Sequence, residues 1–206
     1  MRVNNPLTYI LNSEAKMICL KFLCQYPAEI NGTQLAKIVG LSPATVHKAM
    51  KGLFDEQIVT LKGVGNAHLY ELNKGNLIVK EIIAPLFAKE GRLINNLIDE
   101  IKKIINKSSI KNQILSAALF GSVHEKKERA TSDVDLFVLI KNKKTKNKIL
   151  QIFTEQKNKK IGEMGLTIEP YVKTLEELKK NRELEVIKSI LKSNTLIFGK
   201  SPEVFL

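Results

Sequence analysis

The chain has 206 residues, of which 44% are hydrophobic and 26% charged, and its formal net charge is +12. This length suits one large or two small domains, and the apolar content is sufficient for ordinary cores. We expect no membrane span, because no uninterrupted apolar run approaches the roughly 18 residues that a spanning helix needs. The N-terminal Met-Arg-Val-Asn-Asn-Pro is also not typical of a signal peptide.

The excess of Lys and Arg over Asp and Glu favours a polyanionic partner, with nucleic acid first among the candidates. A solvated basic surface is the alternative explanation. The two cysteines, Cys19 and Cys24, are five positions apart in one apolar helical stretch and do not share a helix face. Free thiols of this kind suit a reducing compartment, so we expect a cytoplasmic protein.

The N-terminal part carries the signals of a helix-turn-helix. Residues 13–26 predict a first helix. Thr33 is predicted to cap a short helix over 34–39, and Gly40 follows where a left-handed residue is favoured. Ser42-Pro43, a cap followed by proline at the first helical position, then opens a third helix. This succession of helices around a glycine turn is typical of a helix-turn-helix.

A predicted β-hairpin follows the third helix, with strands over 58–61 and 68–72 and a glycine loop over 63–66. Residues 29–72 resemble bacterial and archaeal winged-helix transcription regulators, which implies binding of duplex DNA. Binding only to protein, or pairing with a second copy, is the alternative. The candidate DNA contacts lie on the polar face of the third helix and on the wing, and they are Ser42, Thr45, His47, Lys48, Lys51, Lys62 and Asn66.

Residues 76–107 are predicted to be helical, with Pro85 and Gly91 kinking or splitting the segment. Apolar residues recur there at spacings of three and four. Two interpretations stay open: a connecting helix packed on both domains, or the seam of a homodimer. Residues 106–109 are the predicted hinge.

From residue 110 onwards the pattern is that of an α/β domain. A capping box is predicted at Thr174 and Glu177. The predicted strands are 114–120, 133–140, 165–172 and 196–199, and the other predicted helices are 146–156 and 183–193.

Gly121-Ser122, followed after ten residues by Asp133-Val134-Asp135, is the most informative motif of the chain. Asp133 and Asp135 share one face of a strand, with Cα atoms roughly 6.6 Å apart. Two carboxylates at this spacing can share a pair of divalent ions. A glycine-led turn can offer backbone N–H groups to a phosphate. The motif therefore points to phosphoryl or nucleotidyl transfer.

Phe120-Gly121-Ser122 and Asp133-Val134-Asp135-Leu136, with Glu169 on a later strand, resemble the DNA polymerase beta-like nucleotidyltransferase superfamily, especially its minimal nucleotidyltransferase branch. The segment Thr195–Gly199 is similar to the C-terminal segment of that branch. The resemblance covers about 110–200. It implies a small mixed sheet flanked by helices, so we expect an α/β (α+β) chain with a winged helix-turn-helix and a helical connector before this domain.

The resemblance also implies roles for individual residues. Asp133 and Asp135 would hold Mg²⁺ or Mn²⁺ at the triphosphate of an NTP, and Glu169 would complete the metal site or accept a proton. Gly121 and Ser122 would bind phosphate. For Glu169, the alternative is an ordinary exposed strand residue.

One departure from the family pattern bears on catalysis. Active members commonly carry Gly-Ser-x-Ala-Arg-Gly, and here Glu125 and Lys126 stand in the Arg and Gly places. A carboxylate at that place repels phosphate, and Lys127 and Arg129 are the candidate substitutes. The segment 141–148 holds five lysines in eight residues. It is either a solvated loop or a guide for a nucleic-acid backbone or triphosphate.

These patterns predict a winged helix-turn-helix over 1–75, a connector over 76–109 and a nucleotidyltransferase-like domain over 110–206. The first functional hypothesis is a DNA-binding, metal-dependent enzyme that transfers a nucleotidyl group from an NTP to a protein, a small molecule or RNA. The second is a non-catalytic transcription regulator whose nucleotidyltransferase-like domain senses nucleotide or binds a partner. An antitoxin acting on a toxin partner is compatible with both hypotheses by analogy with the family.

Overall fold

A computed structural model describes residues 2–64, 67–129, 132–154 and 159–206. The chain divides into two compact units, an N-terminal unit of residues 1–93 and a C-terminal unit of residues 94–206. The first unit is mainly helical and the second contains a four-stranded sheet, so the predicted α/β class is confirmed. No helix within these ranges is long and apolar enough to cross a membrane.

The N-terminal unit consists of a helix-turn-helix followed by a β-hairpin. Its three-stranded sheet is antiparallel, in the order β1 (Ile30–Asn31), β3 (Ala67–Leu72), β2 (Val59–Val64). The predicted winged helix-turn-helix is therefore confirmed. Its elements are α1 (Pro6–Ile10), α2 (Glu14–Gln25), β1 (Ile30–Asn31), α3 (Gly32–Val39), α4 (Pro43–Asp55), β2 (Val59–Val64), β3 (Ala67–Leu72) and α5 (Ala84–Glu90).

Local hydrogen bonds set the ends of α3 and α4. Gly40, with a φ of 71°, ends α3, and the Ser42 hydroxyl caps α4 by accepting the Thr45 N–H at 3.1 Å. The prediction that Thr33 caps α3 is wrong. Asn31 is the N-cap, and its Oδ1 accepts the Gln34 N–H at 2.7 Å. Asn31 can do this because pairing with β3 holds it in an extended conformation directly before the helix.

The helical segment after the hairpin is split, as predicted. A π-helical stretch, Val79–Ile83, comes before α5, where Pro85 has no N–H for the helical ladder. A turn at Gly91 and Arg92 separates α5 from α6 (Leu93–Lys107). The stretch before this turn buries Val79, Ile83 and Phe87 in the core of the N-terminal unit, whereas α6 buries Leu97, Ile101 and Ile105 in the core of the C-terminal unit.

The C-terminal unit is built on a mixed sheet with the strand order β6 (Ile168–Thr174), β5 (Val134–Ile140), β4 (Ile114–Leu119), β7 (Thr195–Gly199). β5 and β6 are parallel, and β4 is antiparallel to both β5 and β7. The predicted capping box at Thr174 and Glu177 is present at the start of the helix Leu175–Lys180. After α6, the elements are β4 (Ile114–Leu119), α7 (Gly121–Glu125), β5 (Val134–Ile140), α8 (Lys146–Thr154), α9 (Lys159–Glu163), β6 (Ile168–Thr174), α10 (Leu175–Lys180), α11 (Glu185–Lys192) and β7 (Thr195–Gly199).

The two faces of this sheet are buried in different apolar clusters. One face, represented by Val134 and Leu136 of β5, packs in a cluster with buried residues of α6 and α8. The other face, represented by Phe137, packs in a cluster with buried residues of α10 and α11. Because side chains alternate along a strand, Asp133 and Asp135 belong to the same face as Phe137. The two carboxylates therefore lie at the end of that face, where β5 begins.

Candidate functional site

The Gly-Ser turn lies directly against the Asp135 carboxylate. Gly121 follows β4 and has a φ of 70°, in the left-handed region that favours glycine. A Cβ atom at Gly121 would lie 2.1 Å from the Asp135 Oδ2 atom. Both the backbone conformation and the contact therefore require the absence of a side chain at Gly121.

A hydrogen bond joins the same turn to the same carboxylate. The backbone N–H of Ser122 donates to the Asp135 carboxylate, and the Phe120 N–H donates to the Asp135 main-chain oxygen at 3.2 Å. The structure thus brings together the two halves of the sequence motif, Gly121-Ser122 and Asp135, which are separated by the loop after α7.

Two further carboxylates surround Asp135. Glu169 of β6 pairs in register with Asp135 of β5, and neighbouring strands lie about 4.8 Å apart. Asp133, directly before β5, and Glu169 are both exposed, whereas Asp135 is half-buried. Burial raises the pKa of Asp135 above its usual range, the charges of Glu169 and Asp133 raise this pKa further, and the Ser122 N–H opposes the rise. The site therefore concentrates negative charge that a cation would stabilise.

The chemistry of this donor set fits a hard divalent cation. Carboxylate oxygens are the ligands that Mg²⁺ and Mn²⁺ prefer. Within the described ranges, no three His, Cys, Asp or Glu side chains are grouped closely enough to hold a metal ion as they stand. Asp135 is central to the set, because both other acids act on its pKa.

The loop after α7 holds the candidate phosphate-binding cations. Lys127 Nζ lies 3.1 Å from Glu125 Oε2, so this ammonium is paired with the carboxylate that replaces the family's arginine. The backbone N–H of Arg129 donates to Ser132 Oγ at 2.9 Å, and the Arg129 side chain is exposed. The charge of Lys127 is thus offset in the structure, whereas the Arg129 N–H is held by the Ser132 side chain.

Lys126 adopts a left-handed conformation, with a φ of 57° at the C-terminal end of α7. The family pattern has glycine at this position, which tolerates this conformation without a steric penalty. We expect Lys126→Gly to raise the free energy of unfolding by about 1 kcal/mol, since a left-handed non-glycine residue costs roughly that amount. Urea unfolding measures this gain.

The neighbouring Glu128 provides the control for this prediction. It is exposed and is not among the residues with positive φ. Glu128→Gly should therefore give no gain, because glycine adds backbone entropy only to the unfolded chain there. Equal changes in the two variants would contradict the strain assigned to Lys126.

The exposed face of α4 carries five of the predicted DNA contacts. The opposite face buries Val46, Ala49, Met50 and Leu53, which orients the helix. Lys62 on β2 forms an ion pair with Glu29, with a distance of 3.0 Å between Nζ and Oε1. Asn66 lies outside the described residues. The five predicted contacts, all exposed, are Ser42 at the cap, Thr45, His47, Lys48 and Lys51.

The lysine-rich segment 141–148 is partly neutralised by its own unit. Lys146 Nζ lies 3.7 Å from Glu177 Oε2. The Thr174 N–H lowers the pKa of Glu177, and the charges of Lys146, Lys173 and Lys143 lower it further. Part of the positive charge in this segment therefore faces an acidic partner within the C-terminal unit.

A histidine contact near the site was not predicted from the sequence. His124 of α7 makes hydrogen bonds to the hydroxyls of Thr195 and Ser193, at 2.9 Å and 2.7 Å. Its partners are 71 and 69 residues away along the chain, so no local pattern indicates the contact.

The fold and the Gly-Ser and carboxylate arrangement together define a nucleotidyltransferase domain. Residues 100–203 match the family described as polymerase beta, nucleotidyltransferase, and this match spans slightly more than half of the chain. The chain therefore belongs to the polymerase beta nucleotidyltransferase family, and the predicted family is confirmed. No curated protein sequence matches the chain.

Several solved winged-helix structures share limited similarity with the chain. One is a homodimeric winged helix-turn-helix DNA-binding domain from Mycobacterium bovis, described as a possible ArsR-family transcriptional regulator. It is 21% identical to this chain, and the match covers 46% of this chain and 77% of that chain with a TM-score of 0.32. A single-residue mutant of ZitR from Lactococcus lactis is 17% identical, covering 48% of this chain and 64% of that one at a TM-score of 0.32. The winged-helix assignment rests on the elements of the N-terminal unit, because a TM-score of 0.32 does not establish a shared fold.

Proposed function

We propose that the C-terminal domain is a metal-dependent nucleotidyltransferase that transfers a nucleotidyl group from an NTP to an acceptor. The observation that carries this proposal is the contact of the Gly121-Ser122 turn with Asp135, beside Glu169 on the adjacent strand. Membership of the polymerase beta nucleotidyltransferase family supports it.

The family generally uses divalent metals. Asp133, Asp135 and Glu169 are the residues that would hold Mg²⁺ or Mn²⁺. A bound ion would neutralise charge on the triphosphate and on the departing pyrophosphate. The raised pKa of Asp135 supports this assignment, because burial and, after it, the two neighbouring carboxylates disfavour the ionised form that a bound cation would stabilise.

The other residues of the site bind and orient the substrate. Gly121 lets the turn lie against the Asp135 carboxylate, which fills the place that a side chain would take. The Ser122 N–H is engaged by Asp135, which leaves the Ser122 hydroxyl as the phosphate donor. Glu169 is exposed and in register with Asp135, so it can also accept the proton of an attacking hydroxyl.

Transfer of label from α-labelled NTPs, in the presence of Mg²⁺ or Mn²⁺, tests this function. We expect the wild-type protein to label itself or an added RNA or protein acceptor, and Asp133→Asn to abolish the labelling. Asp99→Asn makes the same chemical change on an exposed position of α6, and it should retain activity. Absence of wild-type labelling with every common NTP and acceptor would contradict the proposal.

We propose that the N-terminal domain binds duplex DNA through α4. The exposed Lys48 and Lys51 can contact phosphates, while Ser42, Thr45 and His47 can reach base edges or the backbone. Lys62 would have to exchange Glu29 for a phosphate to contribute at the wing. The net charge of +12 supports a polyanionic partner.

Removing the two lysines of α4 should weaken DNA binding. For Lys48→Ala with Lys51→Ala, we expect a loss of affinity of about tenfold or more. The slope of log affinity against log salt concentration is negative, and its magnitude should fall by about 2. Fluorescence anisotropy over a salt series measures both quantities on a mixed duplex pool. Lys102→Ala with Lys107→Ala removes the same charge from exposed positions of α6. Equal effects of the two double variants would show that only net charge matters.

A second function is favoured by the ion pair between Glu125 and Lys127. In this alternative, the domain senses nucleotide or binds a partner without turnover, and the protein acts as a transcription regulator or as an antitoxin with a toxin partner. A homodimer joined through residues 76–107 is compatible with this alternative and with the enzyme. Calorimetric binding of NTP with Mg²⁺, together with an absence of pyrophosphate release, would favour it over the enzyme. Release of pyrophosphate from the bound NTP would exclude this alternative.

A further inference from the structure

We propose that His124 is a positioning residue that anchors α7 to β7 and so holds the Gly121-Ser122 turn against Asp135. Its consequence for catalysis rests on the nucleotidyltransferase function proposed above. The family pattern has alanine at this place, so the role belongs to this chain.

Both ring nitrogens of His124 are engaged. Nδ1 lies 2.9 Å from Thr195 Oγ1, and Nε2 lies 2.7 Å from Ser193 Oγ. A neutral imidazole has one donor and one acceptor, and a hydroxyl can act as either. Both hydrogen bonds therefore form in either tautomer, and the half-buried ring is held at two points.

α7 needs such an anchor because it is very short. It contains five residues and is followed by Lys126, which is in a left-handed conformation. An isolated helix of this length is not stable in water, so its orientation depends on tertiary contacts. Contacts to Asp135 at Gly121 and Ser122 hold the first end of α7, and His124 holds the other end.

The strand order explains how the contact of His124 with Thr195 fixes the orientation of α7. β4 lies between β5, which carries Asp135, and β7, which carries Thr195. Leu119 at the end of β4 pairs with Leu136 on one side and with Thr195 on the other. α7 is therefore tied to the strands on both sides of the one from which it emerges. Without His124, α7 could pivot about its contact with Asp135.

Amide hydrogen exchange measured by NMR on the full chain tests this role without relying on activity. In His124→Ala, we expect the Ser122 amide to exchange about tenfold faster, since two hydrogen bonds are lost, while the core amide of Val138 is unchanged. His124→Gln, which keeps a donor and an acceptor, should restore part of the protection. His68→Ala, an exposed histidine on β3, is the matched control and should have no effect.

Unchanged exchange at Ser122, or equal acceleration at Ser122 and Val138, would overturn the inference. If His124→Ala does not fold, Ser193→Ala with Thr195→Val removes the same hydrogen bonds and is judged by the same criteria. In the transfer assay, His124→Ala should raise the KM for NTP about tenfold while kcat changes much less. A wild-type protein without transfer activity would refute the proposed function, and the exchange measurement would still decide the role of His124.

Discussion

Replacing Gly121 with alanine should abolish nucleotidyl transfer and lower the free energy of unfolding by about 2 kcal/mol or more. The new Cβ would lie 2.1 Å from Asp135 Oδ2, and the backbone φ of 70° is unfavourable for alanine. The turn and the carboxylate must then separate. This separation removes the hydrogen bond from Ser122 to Asp135 and shifts the Ser122 hydroxyl, the proposed phosphate donor, away from the carboxylates.

Gly165 offers a matched control in the same unit. Its φ is also 70°, but nothing lies within 4 Å of the position that a Cβ would take. Gly165→Ala should therefore cost only about 1 kcal/mol, the penalty of the left-handed backbone, and should retain activity. Urea unfolding and the transfer assay measure the two effects. Equal destabilisation with retained activity in both variants would contradict the contact between Gly121 and Asp135.

Asp135→Asn should change activity and stability in opposite directions. Activity should fall roughly a thousandfold, because a metal ligand contributes several kcal/mol to charge stabilisation in the transition state. The stability of the metal-free protein should rise at neutral pH. In the wild type, the ionised Asp135 is disfavoured by burial and by the charges of Glu169 and Asp133, and the asparagine removes this penalty.

The pH dependence of this gain has a definite sign. The folded-state pKa of Asp135 is raised, so the folded protein binds the proton more tightly than the unfolded chain does. Stability contributed by this group is present below the unfolded pKa of about 3.9 and is lost as the pH rises through the folded pKa. The variant should therefore exceed the wild type in stability at about pH 7, and the difference should shrink towards about pH 4.

Urea unfolding at the two pH values, without metal and then with Mg²⁺, measures this prediction. Mg²⁺ should stabilise the wild type and not Asp135→Asn, because only the wild type keeps the full set of carboxylates. Asp99→Asn on α6 is the control and should behave as the wild type does. A variant that is less stable than the wild type at neutral pH would contradict the charge crowding around Asp135.

Features encoded by short sequence patterns could be predicted. Ser42-Pro43 identifies the start of α4, and Gly40 identifies the end of α3, since capping and left-handed turns depend on neighbouring residues. The prediction that Thr33 caps α3 is wrong because the extended conformation of Asn31, the actual cap, depends on pairing with Leu69 of β3. β1 contains two residues, and its strand character likewise depends on that pairing.

In the candidate site, too, local features could be predicted from the sequence, whereas contacts that depend on strand pairing could not. The motif predicts that Asp133 and Asp135 share a face of β5, because alternation along a strand is local. The contact between Gly121 and Asp135 depends on the register of β4 with β5. The position of Glu169 beside Asp135 depends on the parallel pairing of β6 with β5. Neither register is readable from one sequence. The pairing of Lys127 with Glu125 also depends on the conformation of the loop after α7.

Pyrophosphate release from each common NTP by the full chain with Mg²⁺, measured alongside Asp135→Asn and with RNA and protein acceptors present, tests the central claim most directly. We expect release by the wild type and none above background by Asp135→Asn. Release by neither protein, or equal release by both, would contradict the assignment of nucleotidyl transfer to the carboxylates of β5 and β6.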